Sequence, residues 1–509
     1  MMSKIAGRRL RLCGVILPAI FAITAVAADT SPAKKDLTKL DLRLVNTPWT
    51  GDLDGMIERR MIRALVVYSK TFYFVDKGTQ RGTSYDALRA FEDELNKSLK
   101  TRNLRVSIVF VPVRRDQLFP ALRDGLGDIA AANLAVTAER QKLADFSTPL
   151  LSGVSEVVVT GPGAPDIRST DDLSGKEIFV RKSSSYFESL TRLNQSLHKS
   201  GKPDVKLKLA PEQLEDEDLL EMVNAGLVPI IIVDNHKASF WAQIFKSIKV
   251  HEDVAVNWGG DVAWAFRKGS PKLKEAVDDF VKRHRVGTQF GNVTLQKYLK
   301  NTKWVTNATS AEEMAKFQLM VELFKKYAAQ YGFDWLMLAA QGYQESRLDQ
   351  STKSPSGAIG VMQVMPATGA SLKVGDITQV DANIHAGTKY MRTMLDTYFS
   401  DAQLDDLNRN LFAFAAYNAG PSRIAGLRKE AAKRGLNPNV WFDNVERIAA
   451  EKIGRETVTY VSNIYKYYVA YTLALEQSAD RERARETVKK KADARCNFRM
   501  RRDGCCLLR

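Results

Sequence analysis

Tyr343-Gln344-Glu345-Ser346 is followed by Ser354-Pro355-Ser356-Gly357-Ala358-Ile359-Gly360-Val361-Met362-Gln363-Val364-Met365-Pro366. Farther on come Ala416-Tyr417-Asn418-Ala419-Gly420 and Tyr460-Val461-Ser462-Asn463-Ile464. The text around these pieces is helical in period. Met314, Phe317, Val321, Phe324, Ala328 and Tyr331 recur every three or four residues, as one buried helix face requires. Ser310 with Glu313 reads as a capping box that opens this helix, and Gly332 stops it. The helical period then continues to Glu476, broken by Gly/Ser/Pro loops at 354–360 and 420–422. Residues 310–476 therefore read as an all-α-dominated unit.

A glutamate at the end of an apolar stripe has a particular chemical use. An acid that protonates a leaving oxygen must hold its proton near the working pH, and burial raises a carboxyl pKa by disfavouring the charged form. Trp335, Leu336, Leu338, Ala339 and Tyr343 make the approach to Glu345 apolar. The stripe alone would mark a core. The glutamate at its end, beside a Gly-rich loop, points to an acid.

The four ordered elements resemble the catalytic signature of the family 1 lytic transglycosylases, over about residues 315–475. These lysozyme-like enzymes cut the glycan of bacterial peptidoglycan at the MurNAc-GlcNAc β-1,4 bond. Most glycosidases place two carboxylates across the scissile bond; the resemblance implies one, Glu345, and neither metal nor cofactor. The substrate's N-acetyl group would steady the cationic centre, and the glutamate would then take a proton from the sugar's 6-hydroxyl, leaving a 1,6-anhydro end. By the same resemblance Ser354 lies near the N-acetyl group and Gln363 hydrogen-bonds the glycan. Met365 forms an apolar wall, Tyr417 and Asn418 face the substrate, and Tyr460 holds the catalytic glutamate. Plainer readings are core positions for Met365 and Tyr417 and a turn at Ser354-Pro355. Asp349 is a second carboxylate that spacing leaves open.

The first half is built differently. Short β-branched or apolar runs at 62–68, 106–111, 154–160, 177–180, 228–233 and 262–266 read as strands. Between them lie helical patterns such as Tyr85, Leu88, Phe91, Leu95 and Leu99. Such alternation predicts a mostly parallel sheet flanked by helices. Gly125-Leu126-Gly127-Asp128-Ile129-Ala130-Ala131-Ala132, then Thr137-Ala138-Glu139-Arg140, Asp145-Phe146-Ser147 and Pro149, resemble the solute-binding proteins of family 3. The resemblance covers about residues 61–268 and implies an α/β two-lobed periplasmic-binding-protein-like domain over 61–300. It assigns Arg140 to a ligand carboxylate, a geometry that suits a guanidinium fork. Ser184 would be a hydroxyl donor and Asp234 the partner of a ligand amine. The implied ligand is a zwitterion or small peptide, an amino acid or muropeptide sensed on behalf of the neighbouring enzyme. The plainer readings are an ion-pair partner, an N-cap and a turn residue.

The ends add a cellular setting. A basic start with Lys4, Arg8, Arg9 and Arg11, an apolar run from Leu12 to Ala27 and the triplet Ala25-Val26-Ala27 form the layout of a signal peptide over 1–28. Residues 29–60 read as a linker. The expected setting is periplasmic, with peripheral attachment to the outer membrane left open. The formal charge of +16 favours anionic polymers, and export removes nucleic acid from that list. From Gln477 to Arg509, 11 Lys/Arg face 5 Asp/Glu, which reads as a basic disordered tail. Cys13, Cys496, Cys505 and Cys506 all fall outside the two units, so no thiolate metal site is expected. Two rival readings are a non-enzymatic receptor with a helical scaffold and a true hydrolase.

Overall fold

The computed structural model describes residues 43–76, 79–300, 311–400 and 403–503. The expected signal peptide, the boundary between the two units with Ser310, Cys505 and Cys506 lie outside the described residues.

The first module is built on one mixed sheet. In chain order its strands are β1 (Met61–Val66), β4 (Ser107–Pro112), β5 (Ile129–Ala135), β6 (Asp145–Phe146), β7 (Leu151–Thr160), β8 (Glu177–Val180), β9 (Lys206–Leu209), β10 (Ile230–Asp234) and β11 (Lys249–Phe266). A small hairpin of β2 (Phe74–Asp76) and β3 (Thr79–Arg81) stands apart. The spatial order is β4-β1-β5-β11-β7-β10-β8-β9, with β6 against β11. Strands β4, β1 and β5 run parallel in the first lobe, and β10, β8 and β9 run parallel in the second. The two long strands β7 and β11 are antiparallel to each other and to their neighbours, so the sheet is less parallel than the strand–helix alternation predicted. Register between β7 and β11 slips four times between His251 and Val262. Bulges of this kind bend and twist a strand, and here they carry the chain from one lobe to the other.

Three differences from the sequence reading have physical causes. Strand β5 is rich in alanine (Ile129-Ala130-Ala131-Ala132-Asn133-Leu134-Ala135) and so lacks the β-branched signal. The segment before Met61 is folded rather than a plain linker. Val45 is buried, and the fully buried Arg63 guanidinium donates to the carbonyls of Val45, Thr47 and Trp49. The charge-rich segment expected to be disordered is helical as far as Asp503, because it packs on the first module. There Arg481 is buried and donates to Glu217 at 2.8 Å, to Asp218 and to the Tyr68 carbonyl, while Val488 joins an apolar cluster of the second lobe. Ion pairing and burial thus supply what the missing hydrophobic period did not signal.

Helices that matter below are α1 (Thr83–Ser98) and α2 (Ser185–Lys199). Next come α3 (Asp216–Asn224) and α4 (Asn235–Trp241). The second module consists of α5 (Ala311–Tyr331), α6 (Trp335–Ser346), α7 (Pro366–Leu372), α8 (Val380–Tyr398), α9 (Asp406–Ala419), α10 (Pro421–Lys433), α11 (Glu446–Lys452) and α12 (Arg455–Asp503). Gly332, at φ +70°, ends α5 as expected. Helix α12 is the spine of the molecule. It packs on α6 and α9 of its own module and on β4 of the first. Val109 and Val111 of β4 share one apolar cluster with Val458, Val461 and Tyr465.

Candidate active site

Helix α6 starts at Asp334, whose carboxylate accepts from Leu336 N at 2.9 Å and from Tyr468 Oη of α12 at 2.8 Å. This N-cap fixes α6 against α12 at one end. At the other end Ser346 Oγ donates to the Val361 carbonyl at 2.9 Å and ties α6 to the Gly-rich loop. Gly342 permits this closeness, because a Cβ there would meet Phe324, Leu348 and Val361 at 3.0–3.2 Å.

Glu345 lies between these ties. Tyr460 Oη of α12 donates to Glu345 Oε1 at 2.5 Å, and Gln341 Nε2, one helical turn before the glutamate, donates to Tyr460 Oη at 3.5 Å. Burial raises the Glu345 carboxyl to about 7, and the Tyr460 hydrogen bond pulls in the opposite direction. Desolvation therefore wins, and the group is a neutral acid up to near-neutral pH. Tyr417 is close enough to the glutamate for the two to interact electrostatically. Its Oη donates to the Met362 carbonyl at 2.8 Å, which joins α9 to the loop.

The loop is held from within. Ser354 Oγ accepts from Ala358 N at 2.9 Å and lies 2.9 Å from Ser356 Oγ. Gln363, in a left-handed conformation, donates its amide to the carbonyls of Thr352 and Gly360 at 3.1 and 2.8 Å. Its NH₂ group thus supports the loop rather than projecting toward a ligand. Met365 is 42% exposed, an apolar side chain left in solvent at the loop's end. Asn418 Oδ1 accepts from Thr457 Oγ1 of α12 at 2.6 Å. The fold therefore brings Glu345, Tyr460 and Tyr417 together, with Asn418, Ser354 and Gln363 engaged in holding the surrounding elements. Asp349 caps a turn, accepting from Ser351 N and Oγ, and these bonds lower its pKa.

Two contributors were not singled out from the sequence. Gln341 was legible in principle, being four residues before Glu345 and so on the same helix face. Asn383 was not. It is fully buried on α8, accepts from Met362 N and donates to the carbonyls of Ile359 and Ile377, and nothing in its local sequence marks it.

In the first module, the three candidate ligand residues meet at the seam between the lobes, already partnered. Arg140 is buried, pairs with Glu188 of α2 at 3.1 Å and donates to the Ser183 carbonyl at 3.0 Å. Asp234 pairs with Lys237 of α4 at 2.8 Å and accepts from Asn133 at 3.0 Å. Ser184 caps α2 by accepting from Phe187 N and donates to the Arg181 carbonyl. A carboxylate on Arg140 and an ammonium on Asp234 are thus supplied by the protein's own side chains. Arg115 and Glu215 add a further, buried ion pair at 2.7 Å.

Comparison with known proteins gives two family matches. The family of bacterial extracellular solute-binding proteins, family 3, matches residues 65–300, and the transglycosylase SLT domain matches residues 322–439. A relative named membrane-bound lytic murein transglycosylase F, from Pseudomonas fluorescens (strain Pf0-1), is 28% identical over 462 residues, covering 85% of this chain and 89% of the relative. One of the same name from Idiomarina loihiensis is 28% identical over 469 residues, covering 88% and 96%. Among solved structures, the substrate-binding protein of an amino acid ABC transporter aligns at 24% identity with a TM-score of 0.39, covering 47% of this chain and 100% of that one. The chain thus carries, in order, a match to the family 3 solute-binding proteins and a match to the transglycosylase SLT domain, and over most of its length it is similar to relatives named membrane-bound lytic murein transglycosylase F.

Proposed function

We propose that this chain cleaves the MurNAc-GlcNAc β-1,4 bond of peptidoglycan with formation of 1,6-anhydro-MurNAc ends. The observation that carries this reading is one half-buried carboxyl, Glu345, raised to about 7 by desolvation and oriented by Tyr460. Such an acid can protonate the leaving oxygen at neutral pH. Once deprotonated, it can accept the proton of the sugar's 6-hydroxyl as that oxygen closes on the anomeric carbon. Asp349, the other carboxylate considered, is engaged in a turn, which favours ring closure over the two-carboxylate route. Mass spectrometry of digested murein sacculi tests the reading. Products one water lighter than hydrolysed muropeptides are expected, and reducing ends would instead indicate a hydrolase.

The first module is proposed to sense a muropeptide or amino acid at the lobe seam through Arg140, Ser184 and Asp234. A ligand would enter by exchanging its own carboxylate for Glu188 and its amine for Lys237. Periplasmic location with peripheral outer-membrane association accords with the leader-like start and with the name of the relatives. No helix among the described residues is long and apolar enough to cross a membrane.

A further inference from the structure

A trench runs between the two modules, apart from both the lobe seam and the loop that faces Glu345. One part, of about 540 Å³, is walled by Tyr85, Tyr343 and Tyr467 and edged by Arg81, Arg347 and Lys297. A second part, of about 330 Å³, carries Arg60, Arg105, Arg455 and Lys466. Arg89 and Asn463 line both parts, which makes them neighbours.

The charge of this trench is unbalanced. Six Arg/Lys side chains line one part and four the other, with Arg89 common to both, against the four carboxylates of Asp86, Glu92, Asp443 and Glu446. Those acids are already committed. Arg60 takes Asp443 and Glu446, Arg89 and Lys466 share Glu92, and Lys297 takes Asp86, while Arg59, Arg81 and Arg105 pair with Asp128, Asp76 and Asp93 outside the lining. Among the described residues Arg347 and Arg455 have no carboxylate partner, and the buried Nε of Arg105 has no hydrogen-bond partner. Burial and the neighbouring Arg89 and Arg105 push the Lys466 ammonium below its ordinary range despite Glu92. The cationic excess that remains, carried by Arg347 and Arg455, favours ions of the opposite sign.

The shape narrows the class of anion. Tyrosine walls with guanidinium edges suit a short chain that is part apolar and carries several carboxylates, and the larger part falls within the volume range of small-molecule sites. Position narrows it further. Gln344, next to the catalytic acid, and Arg347, just past the end of α6, line the trench, and Tyr343, two residues before Glu345 on α6, does not share its helix face. An occupant would sit behind the catalytic helix without competing for the glycan. We infer that this trench binds the carboxylate-bearing stem peptides of murein, as a site distinct from the lobe seam. The identity of the peptide rests on the reading of murein as the substrate.

The test is calorimetric titration of the full chain with free murein tetrapeptide at low ionic strength. Arg140→Gln removes the seam as a competing site, and binding is expected to persist in that variant and to weaken as salt rises. Adding Arg81→Gln and Arg347→Gln is expected to lower the remaining affinity by about tenfold or more, since charge-assisted bonds to carboxylates are the strong kind. Absence of binding in the Arg140→Gln variant, or an unchanged affinity in the triple variant, overturns the assignment. Cleavage of peptide-free glycan strands by Arg81→Gln/Arg347→Gln, expected within about twofold of the parent, checks that the fold is intact. Failure of the parent chain to cleave any glycan would sink the proposed activity and leave the titration to decide the trench.

Discussion

Tyr460 Oη donates to Glu345 Oε1 at 2.5 Å across the α6–α12 interface. The bond lowers the carboxyl's pKa while burial raises it, so one contact both orients the acid and trims its strength. Tyr460→Phe removes the donor and leaves the burial. The alkaline limb of kcat/KM is expected to move above pH 7, with a rate loss of about ten- to a hundredfold for one hydrogen bond to a charged or nearly charged group. A pH profile of murein cleavage measures both quantities. An unshifted limb would mean that Tyr460 does not set the acid's proton affinity.

The same carboxyl makes stability depend on pH. Its ordinary value of 4.5 rises to about 7 in the fold, so between these values the native chain keeps a proton that the unfolded chain has lost. Stability is therefore expected to fall from pH 4.5 to 7 and to level off above that, by at most about 3 kcal/mol. Glu345→Gln should abolish this component. Denaturant titrations at pH 5 and pH 8 on parent and variant check it, and an identical pH difference in both would contradict it.

Helix α12 carries Tyr460 near one end and Arg481 farther along, where the guanidinium is buried between Glu217 and Asp218 of α3. Burial disfavours that charge, yet the two carboxylates raise its pKa overall. Arg481→Ala leaves both acids without this partner, and a loss of about 3–5 kcal/mol is expected for a broken buried ion pair. Thermal unfolding of the two proteins reads the effect. A change of a few tenths of a kcal/mol would place residue 481 in solvent.

At the lobe seam Glu188 holds the guanidinium that a ligand carboxylate would need. Glu188→Gln is expected to tighten muropeptide or amino acid binding several-fold by removing the competitor, and Arg140→Gln to weaken seam binding strongly. Calorimetric titration separates the two, and equal affinity in Glu188→Gln and the parent would show that the pair does not guard the site.

Much of this architecture is legible in the sequence. The helical period around Glu345, the stop at Gly332 and the β-branched strands place both modules, because each is a local pattern that packing merely confirms. Strand β5 escaped because alanine carries no strand signal, and its burial between β1 and β11 decides its conformation. The helical course beyond Glu476 escaped because its anchors, Glu217 and Asp218, are more than 250 residues away. The partnering of Tyr460 with Glu345 was expected from motif resemblance, whereas the inward turn of Gln363 depends on a left-handed backbone that composition does not reveal.

The most direct test of the central claim is mass spectrometry of muropeptides released from purified sacculi by the parent chain and by Glu345→Gln. The parent is expected to release 1,6-anhydro products, and the variant to lose them by about 10²–10⁴-fold. Reducing-end products from the parent, or undiminished release by Glu345→Gln, would contradict the account.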